Sequence, residues 1–419
     1  MKIAVWHNLT TGGSVRALHD HIKGLAARGH WLELWTNPGT DLACLNVGSY
    51  IKKVHVVPLE RQEKPSFWGK VASFFFEPDF NIKAMQEHSR TCAAQIGAGG
   101  FDVLFANTCQ HFAVPFISQY ATVPCAVYLG EPYRTFYEAM PVQKWEALAP
   151  FSEKGRHKYY LKWFFEDLWA ERARRVQVRH ERLNYEAFGK VLVNSVFSSE
   201  SCVRAYGTAP ELCYLGINTQ FFRPLYLPRE PFVLGIGNFY INKNPEFALR
   251  AVAQIDARIR PKLIWVANMS DPNLVAAAKA LAQELGVVFE LKEMISDDAI
   301  LQLLNRASVF VYSSRLEPFG YAPLEANACG LPVVAIAEGG VRETIVHNYN
   351  GLLVSNRTDL MAKAVSQLIE DQGLWDKISK NAIYHVGNQW QMAAGIDRLE
   401  MALAETSQKH IPSQIHANS

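Results

Sequence analysis

Apolar residues in this chain follow two alternating patterns, short unbroken runs and longer stretches in which they return every three or four residues. The first run, KIAVWH, predicts a strand. The turn after it leads to Ser14, a candidate N-cap, and Gly29 is a candidate helix end. Between them, one helix face is predicted by the apolar positions Val15, Leu18, Ile22 and Leu25.

The same alternation continues along the chain. HWLELWT follows the first helix, and further strand-like runs are DVLFAN (102–107), PCAVYLG (124–130) and KVLVNS (190–195). A second series comprises FVLGIGN, KLIWVAN, VVFEL, SVFVYSS, LPVVAIA and GLLVS, with helical stretches such as NPEFALRAVAQI and DDAILQLLNRA between them. Because strands alternate with helices, we predict α/β domains whose parallel sheets are covered on both faces.

One segment, 214–231, interrupts the alternation. It reads YLGINTQFFRPLYLPREP, with three prolines and no helical period, which predicts a linker between domains. A chain of 419 residues is also long enough for two domains. We therefore predict an α/β fold of two Rossmann-like, doubly wound domains in tandem, with a cleft between them. The predicted parts are a first domain at 1–222, a second domain at 223–389, a C-terminal helix at 390–405 that packs back on the first domain, and a disordered tail at 406–419.

Composition changes this picture little. Hydrophobic residues make up 49% and charged residues 20%, which is typical of globular proteins. The net charge of +2 gives no argument for a nucleic-acid partner. Seven scattered cysteines without CxxC spacing predict free thiols and a cytoplasmic location. No run approaches the roughly 18 apolar residues that span a bilayer, and the first residues lack the features of a signal peptide.

Two predicted strand-to-helix turns are candidates for binding an anionic ligand, because helix N-termini at the carboxyl edge of such sheets favour phosphate. Gly12-Gly13 follows the first strand, and glycine allows the backbone to approach a ligand closely. A simple tight turn explains these glycines equally well. Lys243 precedes a helix with Asn244 as the candidate N-cap and Pro245 at the first position. The alternative for Lys243 is a solvated loop lysine.

A third turn, EPFGYAPLE at 317–325, lies between the predicted strands SVFVYSS and LPVVAIA. Pro323 suits the first turn of a helix, so Glu317 falls in the loop and Glu325 near the helix start. Backbone N–H groups between the two glutamates suit phosphate, whereas carboxylates accept hydrogen bonds from hydroxyls. This arrangement suits a diphosphate with a sugar at one end and a ribose at the other.

These segments resemble the retaining nucleotide-sugar glycosyltransferases of the GT-B fold, glycosyltransferase family 4, also called glycosyl transferases group 1. EPFGYAPLE is similar to that family's E-x7-E motif, and GGSVRALHDHIKGLAARGHWLELWT is similar to its first βαβ unit. AEGGVRETIVHNYNGLLV, 337–354, resembles the GG-x-x-E and NG-x-L-V elements that follow. The resemblance covers nearly the whole chain.

The resemblance implies that a sugar is moved from a UDP- or GDP-sugar to a hydroxyl of a saccharide or lipid-linked saccharide acceptor, with retention of the anomeric configuration. Such reactions build cell-surface polysaccharides and glycoconjugates. The donor would bind the second domain and the acceptor the first. No metal cofactor is expected, and the chain has no DxD motif.

The resemblance also assigns roles to residues. Glu325 would hold the ribose hydroxyls, Glu317 the transferred sugar, and Lys243 the diphosphate as it departs, aided by backbone N–H groups near Gly13 and Gly320. The implied catalytic residues are Glu317, Lys243 and Glu131. The remaining implied donor-binding positions are Asn238, Phe319, Tyr321 and Ala322.

The chain departs from the family pattern at a phosphate-binding position. Asn238 stands where the family usually has an arginine, so the phosphate loses one charge-assisted hydrogen bond. Arg16 and Arg342 are candidates to replace that charge, because each lies near the start of a helix after a glycine pair.

A second departure concerns the first domain. In YLGEPYRTFYE, Gly130 stands where many family members have a histidine. Glu131 and Arg134 follow, and either could line the acceptor side. An ordinary proline-containing turn explains this segment nearly as well.

The segment 154–183 is rich in basic and aromatic residues. It either packs on its own domain or lies against the inner face of an anionic membrane, which would favour a lipid-linked acceptor. Two other functions stay open for the whole chain. One is a nucleotide-sugar epimerase or phosphorylase on the same scaffold. The other is a degenerate, non-catalytic sugar-binding relative, which Asn238 and Gly130 favour.

Overall fold

The computed structural model describes residues 1–10, 12–40, 47–59, 80–138 and 160–408. The chain divides into two compact units. The first unit consists of Met1–Asn194, Ser198–Cys213 and Ile396–Ser419, and the second of Ser195–Phe197 and Tyr214–Gly395. Each unit is built on its own parallel sheet.

The first unit contains a seven-stranded sheet. Its strands are β1 Lys2–Trp6, β2 Trp31–Thr36, β3 Lys53–Val56, β4 Val103–Asn107, β5 Cys125–Gly130, β6 Lys190–Val193 and β7 Glu211–Leu212. Its helices are α1 Gly13–Ala27, α2 Phe80–Ala98, α3 Tyr160–Glu186 and α4 Val196–Tyr206, with short 3-10 turns at Phe116–Gln119 and Arg134–Phe136. The strand order is β3-β2-β1-β4-β5-β6-β7, and every pair is parallel.

The second unit contains a six-stranded parallel sheet. Its strands are β8 Phe232–Ile236, β9 Lys262–Ala267, β10 Phe289–Glu293, β11 Val309–Tyr312, β12 Val333–Ile336 and β13 Gly351–Val354. Its helices are α5 Pro245–Ala253, α6 Pro272–Leu285, α7 Asp297–Arg306, α8 Tyr321–Ala328, α9 Val341–Thr344, α10 Thr358–Glu370 and α11 Gln372–Gln389, with a 3-10 turn at Ile241–Lys243. The strand order is β10-β9-β8-β11-β12-β13.

The strand order of each sheet reverses direction once, between β1 and β4 in the first and between β8 and β11 in the second. Ligands of open α/β sheets bind at such a reversal, beyond the carboxyl ends of the strands. Strands β4, β11 and β12 are wholly buried, as their unbroken apolar runs predicted. The two reversals therefore mark where functional loops are expected.

The start of α1 differs from the sequence prediction. The helix begins at Gly13 with Gly12 as its N-cap, so Ser14 is its second residue and not the cap. Gly12 has a φ of 103°, a conformation that residues with a Cβ rarely adopt. The glycine pair, rather than the serine hydroxyl, therefore sets where this helix starts.

The segment 214–231, predicted to be a linker, lies within the second unit. All its residues are described, and they form neither helix nor strand apart from an isolated bridge between Ile217 and Gln391. The Ile217 N–H donates to the Trp390 carbonyl oxygen at 2.7 Å, and the Met392 N–H donates to the Ile217 carbonyl oxygen at 3.0 Å. These backbone bonds tie the segment to the end of α11, in agreement with its place in the second unit.

A last helix, α12 Met392–Ser407, starts in the second unit and belongs to the first from Ile396 onward. Ile396 packs so closely on Gly24 of α1 that a Cβ there would come within 2.5 Å of Ile396 Cγ1. Arg28 donates to Glu400 Oε2 at 2.5 Å, which adds an ion pair beside this contact. The helix thus completes the surface of the first unit.

The predicted disordered tail begins too early. Thr406 and Ser407 are part of α12, and the Thr406 side chain is buried with its hydroxyl donating to the Ala402 carbonyl oxygen at 2.7 Å. Polar composition could not reveal this, because the hydroxyl is satisfied by the helix itself. The rest of the predicted tail, from 409 on, lies outside the described residues.

Other sequence features fall partly outside the described residues. Within the described part, no helix combines the length and the apolar character that a membrane span needs. The described cysteines are all free and buried, and Cys44 lies outside them. In the basic and aromatic segment, 154–159 also lies outside, whereas Phe164 and Phe165 in α3 are 46% and 44% exposed.

Candidate active site

The loops after β8 and β11 lie side by side at the reversal of the second sheet. Ser313 Oγ donates to the Lys243 carbonyl oxygen at 2.9 Å, and the Arg315 N–H donates to the Asn242 carbonyl oxygen at 2.9 Å. Asn244, with a φ of 55°, then ends the 3-10 turn and caps α5, with Pro245 at the first helical position as predicted. These bonds hold the two loops in register.

This register brings two predicted site residues into contact. Lys243 Nζ lies 2.5 Å from Glu317 Oε2, and the two side chains are 18% and 25% exposed. From the sequence, the two residues were expected to bind different parts of a ligand, Lys243 the phosphate and Glu317 the sugar. Because this ion pair is partly exposed, both groups can exchange their partner for a ligand.

The start of α8 adds a second feature. Its N-cap is Gly320, with a φ of 95°, and a Cβ there would lie 3.2 Å from Tyr312 Oη. Glycine is therefore favoured by the backbone conformation, and a Cβ here would crowd the Tyr312 hydroxyl. The first N–H groups of the helix and its positive dipole end follow directly after the loop that carries Glu317.

Glu325 lies in α8 and is only 3% exposed. Close by in the same helix, Asn327 Oδ1 accepts a hydrogen bond from Asn350 Nδ2 at 2.8 Å, and Asn327 Nδ2 donates to the Asn350 carbonyl oxygen at 3.1 Å. This buried pair fixes α8 against the turn before β13. A carboxylate is rarely buried without a specific purpose, so Glu325 is a strong candidate for ligand binding.

Two glycines after β12 support the loop that carries Glu317. The Gly340 N–H donates to the Glu317 carbonyl oxygen at 2.8 Å. A Cβ on Gly340 would overlap the Pro318 carbonyl oxygen, and one on Gly339 would overlap the Glu317 carbonyl oxygen. The glycine pair was identified from the sequence only as a family element. Its physical reason is this close approach of two backbones.

Sequence reasoning missed a structural role of Glu343, the glutamate of the GG-x-x-E element. Its carboxylate accepts hydrogen bonds from Val196 N at 2.8 Å, Phe197 N at 3.0 Å and Tyr214 Oη at 2.8 Å. Val196, Phe197 and Tyr214 belong to the same unit as Glu343, so its carboxylate joins three donors that are distant in sequence within that unit. Only its position in the motif pointed to it.

The other predicted donor residues of the second unit lie on the same two loops or in helix α8. Asn238 follows β8, is partly buried, and accepts a hydrogen bond from Tyr240 N at 2.8 Å. Phe319 is buried, with its ring 5.6 Å from Trp390 and 5.5 Å from Tyr321. Grouped at this edge of the second sheet are Asn238, Lys243, Glu317, Phe319, Gly320, Tyr321, Ala322 and Glu325.

Two predicted residues, Gly13 and Glu131, belong to the first unit. Gly13 is the exposed first residue of α1, after β1. Glu131 follows β5 and accepts a hydrogen bond from Arg134 Nε at 2.6 Å, and Arg134 is buried. Gly130 has a φ of 72°, so glycine suits this position better than the histidine of many family members.

The carboxyl edge of the first sheet contains buried polar groups and a cavity. Burial lowers the pKa of His7 to about 4, so its ring is neutral at pH 7. Its Nδ1 accepts from Leu9 N at 3.2 Å, while Nε2 has no hydrogen-bond partner within the described chain. A cavity of about 310 Å³ is lined by residues of the loops after β1, β2, β3 and β4: Thr10, Asn37, Pro38, Gly39, Leu59 and Gln110.

Comparison with known proteins yields one family match. Residues 217–385 match the family model described as glycosyl transferases group 1. A D-inositol 3-phosphate glycosyltransferase of Streptomyces bingchenggensis is 30% identical over 234 residues, which cover 50% of this chain and 51% of that protein. An uncharacterized glycosyltransferase of Methanocaldococcus jannaschii is 33% identical over 156 residues, covering 36% and 39%. The match thus spans about half the length of the first of these curated relatives and a smaller part of the second.

Solved structures extend the similarity to the whole fold. Anabaena Alr3699/HepE in complex with UDP has a TM-score of 0.70 and 18% identity, covering 97% of this chain and 100% of that one. Sucrose-phosphate synthase of Thermosynechococcus elongatus has a TM-score of 0.70 and 19% identity, covering 97% and 98%. The chain therefore has the GT-B fold, and its residues 217–385 match the glycosyl transferases group 1 family model.

Proposed function

We propose that this protein transfers a sugar from a nucleotide-sugar donor to a hydroxyl of an acceptor. The observation that carries the proposal is the contact between Lys243 and Glu317 beside the N-terminus of α8, with Glu325 buried in the same helix. One site thus offers a cation and N–H groups for a diphosphate. It also offers two carboxylates, Glu317 and Glu325, for the hydroxyls on either side of that diphosphate. The structure of HepE with UDP-glucose supports a donor of this class.

Each residue has a role that follows from its chemistry. Lys243 neutralises the charge that grows on the diphosphate as the bond to the sugar breaks, assisted by the N–H groups at the start of α8. Glu317 accepts hydrogen bonds from hydroxyls of the transferred sugar, and Glu325 from those of the ribose. Glu131 belongs to the acceptor side in this proposal.

We include retention of the anomeric configuration in the proposal, on the resemblance to a retaining family. In that reaction the bond between the anomeric carbon and the diphosphate breaks, and the acceptor oxygen bonds to the same face. A diphosphate oxygen takes the acceptor proton. Assignment of the product anomer by NMR tests this, because an inverted product would contradict it.

The donor is proposed to be a UDP- or GDP-sugar, and the acceptor a saccharide or lipid-linked saccharide. The cavity of about 310 Å³ at the first sheet supports an acceptor there, because hydroxyl and amide groups of Thr10, Asn37 and Gln110 line it. Exposed Phe164 and Phe165 support a peripheral membrane contact through α3. The cytoplasmic location stays a prediction.

The central experiment offers the protein a panel of UDP- and GDP-sugars, each with and without simple saccharide acceptors. Thermal shift reports donor binding, and mass spectrometry reports the products. We expect one donor class to raise the melting temperature and to be slowly hydrolysed or transferred. Conversion of the donor into an isomer would indicate an epimerase instead. A thermal shift without any product would indicate a non-catalytic sugar-binding protein.

We expect Glu325→Ala to lower transfer at least roughly tenfold, since a hydrogen bond to a charged group contributes about 1.5–3 kcal/mol. Activity with a ribonucleotide donor and with its 2′-deoxyribose counterpart should differ in the wild type and become similar in the variant. Glu370→Ala, at the exposed end of α10, is the matched control. Equal discrimination between the two donors in wild type and variant would remove Glu325 from the ribose site.

Transfer is expected to proceed without a divalent metal. Lys243 and the N–H groups at the start of α8 supply the positive charge that a metal ion supplies in metal-dependent enzymes. Activity measured after exhaustive treatment with EDTA should equal that of the untreated enzyme. A loss that magnesium or manganese restores would contradict this expectation.

A further inference from the structure

The proposed donor site lacks one positive charge. Asn238 stands where the family has an arginine, and Lys243 already contacts the carboxylate of Glu317. A diphosphate carries at least two negative charges, so a second cation is expected within reach of the same loops. Of the two candidates predicted from the sequence, Arg16 belongs to the first unit, and Arg342 is an exposed residue of the short helix α9.

The structure points to a different arginine, for which no sequence motif gave a signal. Arg315 lies in the loop after β11, two residues before Glu317. Its N–H donates to the carbonyl oxygen of Asn242, the residue before Lys243. The Arg315 backbone is therefore fixed against the 3-10 turn that presents Lys243, whereas Arg342 has no such bond to that turn among the described contacts.

The side chain of Arg315 is held by a carboxylate from a third loop. Its Nε lies 2.6 Å from Glu338 Oε2, and the two side chains are 24% and 22% exposed. Glu338 directly precedes Gly339-Gly340, the glycine pair that packs on the backbone of Glu317. Both members of this ion pair are thus anchored to the loop that the donor is proposed to contact.

The backbone between Arg315 and Glu317 is itself unusual. Leu316 has a φ of 50°, the left-handed region that residues other than glycine, asparagine and aspartate rarely enter. Such positions cost free energy and persist where the surrounding structure enforces them, often at ligand sites. Here the enforcing contacts are the Arg315 bond to Asn242 on one side and the Gly340 bond to Glu317 on the other.

We propose that Arg315 is the second cation of the donor site, in place of the arginine that Asn238 replaces. Glu338 holds its guanidinium when no donor is bound, and the diphosphate takes the guanidinium over when the donor binds. A guanidinium can donate two parallel hydrogen bonds to a phosphate, and a partly exposed ion pair is easily exchanged. This inference rests on the proposed function and names the residue that completes its phosphate site.

The proposal predicts opposite effects for the two members of the pair. Arg315→Gln removes a charge that attracts the diphosphate, so we expect binding of UDP or GDP to weaken at least fivefold. Glu338→Gln removes the competitor for the guanidinium and a negative charge beside the site, so we expect binding to become about two- to fivefold tighter. If the pair only held the loop in shape, both substitutions would weaken binding.

The experiment is calorimetry of the full chain with UDP and GDP, each compared with its free nucleoside, at low and high salt. Arg315→Gln should weaken diphosphate binding, leave nucleoside binding unchanged and reduce the salt dependence. The matched controls are Arg250→Gln and Glu246→Gln, which remove another arginine–glutamate pair of the second unit, in α5. Neither control should change diphosphate affinity, and circular dichroism should show all four variants folded.

The outcomes separate this inference from the proposed function. Weaker diphosphate binding in both Arg315→Gln and Glu338→Gln overturns the inference, because the pair then only holds the loop in shape. Unchanged binding in Arg315→Gln together with weaker binding in Arg342→Gln overturns it in favour of Arg342. In either case, if Lys243→Ala binds the diphosphates more weakly than the wild type, the proposal that the donor binds at Lys243 still stands. Failure of the wild type to bind either diphosphate overturns both.

Discussion

Replacement of Lys243 by alanine is expected to lower the rate of sugar transfer by at least roughly tenfold. The substitution removes the cation that faces the departing diphosphate. It also leaves the carboxylate of Glu317, now 2.5 Å from Lys243 Nζ, without its partner beside a negatively charged group. Both changes act on the transition state, where the charge on the leaving group is largest, so kcat should fall more than donor affinity.

The measurement is steady-state transfer or donor hydrolysis under identical conditions for wild type and variant. Lys279→Ala, an exposed lysine of α6 in the same unit, is the matched control and should retain full activity. Thermal unfolding should be nearly unchanged, because the removed pair is partly exposed and such pairs contribute about 0–1 kcal/mol. Near-normal turnover by the Lys243 variant would place the donor phosphate elsewhere.

Gly340→Ala is expected to weaken donor binding strongly, although Gly340 is not itself among the residues proposed to contact the donor. The backbone of Gly340 has an ordinary conformation, with a φ of −71°, so alanine is unfavourable here for steric reasons alone. Its Cβ would overlap the Pro318 carbonyl oxygen and lie 3.0 Å from Phe319 Cα, and neither backbone atom can move without displacing the loop. Overpacking of this kind costs about 1–3 kcal/mol.

The expected result is a donor affinity at least roughly tenfold lower, because the displaced loop carries Glu317 and leads into α8. Calorimetry with UDP or GDP and thermal unfolding measure the two effects. Gly387→Ala is the control, since no described atom outside the neighbouring backbone of α11 lies within 4 Å of a Cβ at that position. It should bind donor normally and gain some stability from the better helix propensity of alanine. Normal donor binding by Gly340→Ala would show that the loop tolerates displacement.

The fold was largely predictable because its central strands are unbroken apolar runs. SVFVYSS contains β11 and LPVVAIA contains β12, and both strands are fully buried. β3 was not predicted, because Lys53–Val56 is an edge strand that stays largely exposed and has no continuous apolar run. Edge strands make contacts on one side only, so their pattern is the weakest in the sequence.

The candidate site was predictable residue by residue but not as a set of contacts. Lys243, Glu317 and Glu325 were each identified from a strand-to-helix turn. The contact between Lys243 and Glu317 joins residues far apart in sequence, and it depends on loop register, which local pattern does not determine. Arg315 and Glu338 escaped notice for the same reason, because each alone is an ordinary charged loop residue.

The C-terminal helix has a consequence for how the protein is made. The first unit needs residues from both ends of the chain, because α12 covers Gly24 and Arg28 only from Ile396 onward. During translation at about 5–20 residues per second, the interval between the emergence of Cys213 and that of Ile396 is on the order of ten seconds or more. Throughout that interval the surface of α1 stays uncovered while the second unit is synthesised. The helix α1 is therefore synthesised long before α12 but is among the last parts of the first unit to reach its finished form.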